Sequence, residues 1–116
     1  MKTVIIIPAR YKSSRFPGKP LTPILGKPMI LWVADLCVKA VPVQDVYIAT
    51  EDIRIKNVVE KAGFNVIMTS DKPLTGTDRL AEAAKQIKAD IYINVQGDEP
   101  LVDPVDIINI IETKKR

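Results

Sequence analysis

The chain has 116 residues, 47% of them hydrophobic and 27% charged, a balance that suits one soluble globular domain with a buried core. A net charge of +3 is too small to point to nucleic acid, and no apolar run approaches the ~20 residues of a membrane helix. Histidine is absent and Cys37 is the single cysteine, which excludes imidazole catalysis, histidine-based zinc sites and an internal disulfide.

Chemistry therefore falls to carboxylates, lysine, arginine and a hard metal ion. Val4-Ile5-Ile6-Ile7 is too short for a signal core and is ended by Pro8 and Arg10, so the expected location is the cytoplasm.

Thr3 to Ile7 is a short apolar, β-branched run and reads as a strand buried on both faces. It empties into a loop with four cations, Arg10, Lys12, Arg15 and Lys19, separated by small residues and prolines. Such a loop can converge backbone amides and cations on the oxygens of a polyanion. It lacks the glycine-to-lysine spacing of a Walker A loop, and Gly18 stands alone where a dinucleotide fingerprint needs several glycines.

Gly26-Lys27-Pro28 is expected to open the first helix, with Pro28 at its first position. Ile30, Val33, Ala34, Cys37, Val38 and Val41 fall on one face at helical spacing. Cys37 in that stripe reads as a small core residue, and Trp32 lies off it, facing a neighbouring loop or a partner.

Val46 to Ala49 is the second strand. Glu51-Asp52 supplies carboxylates to the start of a second helix, which carries Ile55, Val58, Val59 and Ala62 and is stopped by Gly63. Asn65 to Met68 is the third strand. After a loop over Thr69 to Gly76, a third helix begins at Thr77 or Asp78, with Leu80, Ala83, Ala84 and Ile87 on one face. Ile91 to Val95 is the fourth strand, and Asp103-Pro104 opens a fourth helix.

The alternation of strands and helices predicts an α/β fold, a Rossmann-like, mostly parallel sheet with helices on both faces. In such a sheet ligands sit beyond the carboxyl ends of the strands, where strand order reverses. The basic loop after the first strand and Gln96-Gly97-Asp98-Glu99-Pro100 after the fourth are the best-placed segments. If those strands are neighbours, cations and carboxylates share one crevice. Asp98 is then a candidate Mg²⁺ ligand, since magnesium takes one or two carboxylates plus substrate phosphates. Read alone, the same acids make a solvated turn. Thr75-Gly76-Thr77-Asp78-Arg79 offers amides and hydroxyls at a helix start, with Arg79 directed at a ligand or at Glu82.

Together these segments resemble the cytidylyltransferases that activate 3-deoxy-manno-octulosonate (Kdo), the CMP-Kdo synthetases. The likeness rests on residues 6–21, on Gly26-Lys27-Pro28-Met29-Ile30, and on Ala49-Thr50 with its acidic pair. It continues in Thr75-Gly76-Thr77-Asp78-Arg79 and closes in Asn94-Val95-Gln96-Gly97-Asp98-Glu99-Pro100. CMP-sialic acid synthetases are similar at the Pro-Ala-Arg start but usually carry a glycine-rich stretch where this chain has Tyr11 to Phe16.

The resemblance implies attack of the sugar's anomeric hydroxyl on the α-phosphorus of CTP, giving CMP-Kdo and pyrophosphate for lipopolysaccharide assembly; the alternatives are a related sugar acid (8-amino-Kdo or sialic-acid-like) as acceptor, and a truncated nucleotide-binding module without turnover. It implies that Arg10, Arg15 and Lys19 hold the triphosphate, with Arg15, Lys19 and Asp98 as the catalytic set. It further places Ala9, Arg10, Ser13, Thr75, Gly76, Gln96 and Arg79 at the nucleotide, and Mg²⁺ on Asp98. Family members are considerably longer, so residues 1–116 read as a single CTP-binding domain, the N-terminal half. The later half of the family carries most sugar-acid contacts, a second metal-binding aspartate and the homodimer interface.

Overall fold

A computed structural model of the chain describes residues 2–12, 17–70 and 81–95. A parallel sheet is laid down by β1 (Thr3–Pro8), β4 (Val46–Thr50), β5 (Asn65–Met68) and β6 (Ile91–Asn94), in the order β5-β4-β1-β6. β1 is central. It pairs with β4 in the register Ile5 to Val46 and Ile7 to Ile48, and with β6 in the register Thr3 to Ile91 and Ile5 to Ile93.

All six residues of β1 are buried because both faces of the sheet are covered. Ile5 and Ile7 point to one face, where they meet Ile30, Val33, Ala34 and Cys37 of α1 (Met29–Cys37) and Ile55 and Val59 of α2 (Ile53–Lys61). Val4 and Ile6 point to the other face, against Ala49, Ile67, Ala83 and Ile87. Residues 81–84 are helical and supply that second cover. Cys37 lies within the first layer, and burial pushes its thiol up to about 12, which keeps it an inert apolar filler.

The topology follows from chirality. The steps β1 to β4 and β4 to β5 move in one direction across the sheet, with both connecting helices on one face. The chain then crosses back to place β6 on the far side of β1, and the intervening helix lies on the opposite face, as right-handed crossovers require. The switch point is thus the crevice between the ends of β1 and β6.

Local signals explain the ends of α2. The Asp52 side chain accepts the Arg54 N–H at 2.8 Å as the N-cap. At the other end Gly63 has φ 93°, with Phe64 N–H donating to Val59 O (3.2 Å) and Gly63 N–H to Glu60 O (3.0 Å). That is the double bond of a Schellman stop, and buried Phe64 joins the core cluster of Val59.

Three expectations are corrected. Gly26-Lys27-Pro28 does not open the helix. A small hairpin of β2 (Pro23–Ile24) and β3 (Lys27–Pro28) precedes it, and α1 starts at Met29. Trp32 explains why the hairpin docks: its Nε1–H donates to Ile24 O (2.9 Å) and Lys27 O (3.2 Å), so this residue faces the neighbouring loop. Next, α1 ends at Cys37, and Val41 enters the core from the turns beyond the helix. Finally, Ala62 is exposed at the C-cap of α2. Leu80, the start of the third helix and the expected fourth helix lie outside the described residues.

Candidate functional site

The carboxyl end of β1 delivers Ala9, Arg10, Tyr11 and Lys12 to the carboxyl edge of the sheet, beside the end of β4. Ala9 is buried, and its N–H donates to Ala49 O at 2.9 Å, so its backbone donor is spent on β4. Arg10 and Lys12 follow on the exposed side. Tyr11 closes the loop: its carbonyl accepts the Gly18 N–H at 2.7 Å. Gly18, at φ 75°, then leads the 3-10 turn Lys19–Leu21. A Cβ at Gly18 would stand 3.1 Å from Tyr11 Cε2, inside ordinary contact, so glycine is demanded by backbone conformation and by the neighbouring ring. The Tyr11–Gly18 bond joins the two ends of the loop that carries Arg10, Lys12 and Lys19.

The junction of β4 and α2 underlies this loop. Glu51 Oε1 accepts the Tyr11 N–H at 2.9 Å, and Oε2 takes the Lys12 N–H at a long 3.5 Å. Thr50 Oγ1 donates to Glu51 Oε1 (3.4 Å) and accepts the Asp52 N–H (3.2 Å). Arg54 meets Asp52 as a fork, Nε to Oδ1 at 2.9 Å and Nη2 to Oδ2 at 2.8 Å. The same guanidinium lies 3.4 Å from the centroid of the Tyr11 ring. Hydrogen bonding from Arg54 holds the Asp52 carboxyl below the usual carboxylate range.

Glu51 and Arg54 were not singled out from sequence as part of the site. The available signal was an acidic pair at the end of a strand that neighbours β1; it was read as support for a helix start and counted in the family resemblance, with no role at the site given to it.

On the far side of the switch point, Val95 N–H donates to Ile6 O at 3.2 Å, which carries the chain past β6 to the edge of the same crevice. Gln96 and Asp98 follow at once in sequence but lie outside the described residues, as do Ser13, Arg15, Thr75, Gly76 and Arg79. The segment 71–80 is bracketed by Ser70, which donates through N–H (2.6 Å) and Oγ (3.0 Å) to the two oxygens of Glu82. Among the described residues no cluster of three or more histidine, cysteine or acidic side chains gathers to hold a metal.

A parallel sheet ordered 3-2-1-4, with helices on both faces and a basic loop after its central strand, defines an α/β fold of the nucleotidyltransferase type. The family model described as cytidylyltransferase matches residues 4–116, and the chain belongs to that family. It is 53% identical, over 97% of its length, to the 3-deoxy-manno-octulosonate cytidylyltransferase of Trichlorobacter lovleyi, covering 44% of that protein. It is 49% identical, over its full length, to the 8-amino-3,8-dideoxy-manno-octulosonate cytidylyltransferase of Shewanella piezotolerans, covering 49% of it.

Among solved structures, a CMP:2-keto-3-deoxy-manno-octonic acid synthetase complexed with CTP superposes with a TM-score of 0.94 at 46% identity. That match covers 99% of this chain and 48% of the other. The chain thus spans about half the length of the curated relatives it matches.

Proposed function

We propose that the protein to which this chain contributes transfers the cytidylyl group of CTP to Kdo. The observation that carries the reading is the basic loop that follows β1, with its ends joined by the Tyr11–Gly18 bond, in a chain whose relatives are cytidylyltransferases. The anomeric hydroxyl of the sugar attacks the α-phosphorus, a new oxygen–phosphorus bond forms, the bond to the β-phosphate oxygen breaks, and pyrophosphate leaves. The protein's work is alignment and charge neutralisation, with no covalent intermediate.

Arg10, Arg15 and Lys19 hold the triphosphate and the departing pyrophosphate. The Ala9 carbonyl, Arg10, Ser13, Thr75, Gly76 and Gln96 surround cytosine and ribose, and Arg79 supports that wall. Asp98 would hold Mg²⁺, which when bound neutralises phosphate charge. The product would enter lipopolysaccharide assembly in the cytoplasm, and the complete protein would act as a homodimer. Among the described residues, no helix is long and apolar enough to cross a membrane.

A second reading is favoured by relatives of nearly equal similarity: an amino-sugar version of Kdo as acceptor. Every motif discussed above serves the nucleotide and is common to both readings, so turnover with a panel of sugar acids separates them.

The first experiment is a thermal melt with Mg²⁺ and each of CTP, ATP, GTP and UTP. A ligand bound only by the folded state at ~100 times its dissociation constant adds about 2.7 kcal/mol of stability. A midpoint raised by CTP and not by the others supports the reading; a midpoint indifferent to every nucleotide contradicts it. In the same assay Lys19→Ala reduces the CTP-induced shift more than the CMP-induced shift. Equal losses would remove Lys19 from the distal phosphates.

A further inference from the structure

Two charged groups beside the basic loop are engaged in ways that leave them unsuited to a ligand. Both oxygens of Glu51 face backbone N–H groups of the loop, at Tyr11 and Lys12. Arg54, a cation within reach of the same loop, is committed to Asp52 through a two-bond fork and to the Tyr11 ring through its face. A carboxylate next to a polyanion site carries an electrostatic cost for the ligand, so its place there calls for a compensating role. Here it fixes the shape of the loop's backbone.

The contacts form a chain. Glu51 and Arg54 fix Tyr11, the Tyr11 carbonyl and ring fix Gly18, and Gly18 begins the turn that carries Lys19. We infer that Glu51 and Arg54 are positioning residues. They set the backbone of Tyr11, Lys12, Gly18 and Lys19 in the arrangement that receives distal phosphates, and so set the preference of the site for a triphosphate over a monophosphate. The inference rests on the nucleotide reading given above and deepens it, because it assigns selectivity for the phosphate chain to the β4–α2 junction, outside the basic loop itself.

The test is calorimetric titration of the intact protein with CTP, CMP and inorganic tripolyphosphate. Glu51→Ala should weaken CTP and tripolyphosphate by about tenfold, as loss of an orienting outer contact commonly does, and leave CMP within about twofold. Glu51→Gln keeps one acceptor for the Tyr11 N–H and should restore most of the loss. Arg54→Lys changes an exposed side chain, abolishes the fork and the planar stack, and threatens the fold least; it should show the same split in smaller measure.

A general weakening would move CTP and CMP together, and equal losses would overturn the inference, as would wild-type affinity for CTP in both Glu51→Ala and Arg54→Lys. If the wild type binds tripolyphosphate as tightly as CTP, and Glu51→Ala loses both, the cytidine reading fails while the positioning role stands. If the wild type binds neither, both are overturned.

Discussion

Asp52 shows how much one side chain does at the β4–α2 junction. It caps α2 through the Arg54 N–H, receives the Arg54 guanidinium, and is buried. Its carboxyl is held below the usual 3.8, chiefly by the hydrogen bond from Arg54. A depressed folded-state value means that the contribution is present above the unfolded value and is lost as pH falls through the folded one. Asp52→Ala should therefore cost about 1 kcal/mol near neutral pH, the usual worth of a cap. The gap to wild type should narrow on acidification below about pH 4, when the free carboxyl protonates. Urea melts at stepped pH check this, and a gap that stays constant to low pH would contradict it. Arg54 is about half exposed, so the ionic share of the pairing should be small and weaken with salt.

At the scale of elements, the hairpin β2–β3 is the part the sequence hid. Its turn places Leu25 at φ 53° and Gly26 at φ 80°, the two positive values of a type I′ turn. Glycine suits its position, but leucine in the left-handed region is strained, and here it is 91% exposed and gains no burial in return. Leu25→Asn should stabilise the protein by about 1 kcal/mol. The expected result is a higher denaturant midpoint with an unchanged slope; an unchanged midpoint would mean that the turn relaxes at no cost.

The hairpin was illegible for a physical reason. Strands of two residues have no period, and proline after glycine-lysine carries the same signal as a helix start. What docks the hairpin is the Trp32 indole N–H, a contact that periodicity cannot show. By contrast α2 was readable almost to the residue, since Asp52, the Ile55/Val59 stripe and Gly63 each act locally. Ala62 was the exception, because the helix face turns to solvent at the stop.

For the molecule as a whole, the apolar run Val4 to Ile7 already implied a strand with two covered faces, and the structure makes it central with two separate cores. Ile5 and Ile6 are fully buried on opposite faces. Ile5→Ala and Ile6→Ala should therefore each cost about 2–5 kcal/mol, a large share of a typical domain's stability. Chemical denaturation measures both, and a cost below about 1 kcal/mol for Ile6→Ala would mean that the second layer, built on Ala83 and Ile87, is loosely packed. The crevice was legible only as a condition, because alternation and crossover chirality leave open which strands adjoin; the order β5-β4-β1-β6 supplies the adjacency of β1 and β6. The clamp beneath the loop was not legible, since Glu51 meets Tyr11 across a sequence separation of 40 residues.

The central place of β1 also has a consequence for how the chain is made. The start of β6 is tied to the start of β1, where Lys2 N–H donates to Asp90 Oδ2 and Lys2 O accepts the N–H groups of Asp90 and Ile91. These partners are separated by 88 positions. A ribosome needs roughly 4–18 s to cover that interval at ~5–20 residues per second. Throughout it, one hydrogen-bonding edge of the most apolar strand waits for its neighbour. Such an edge pairs readily with another nascent chain. Expression yield should therefore depend more on temperature and chaperone supply than the stability of the finished fold alone would suggest.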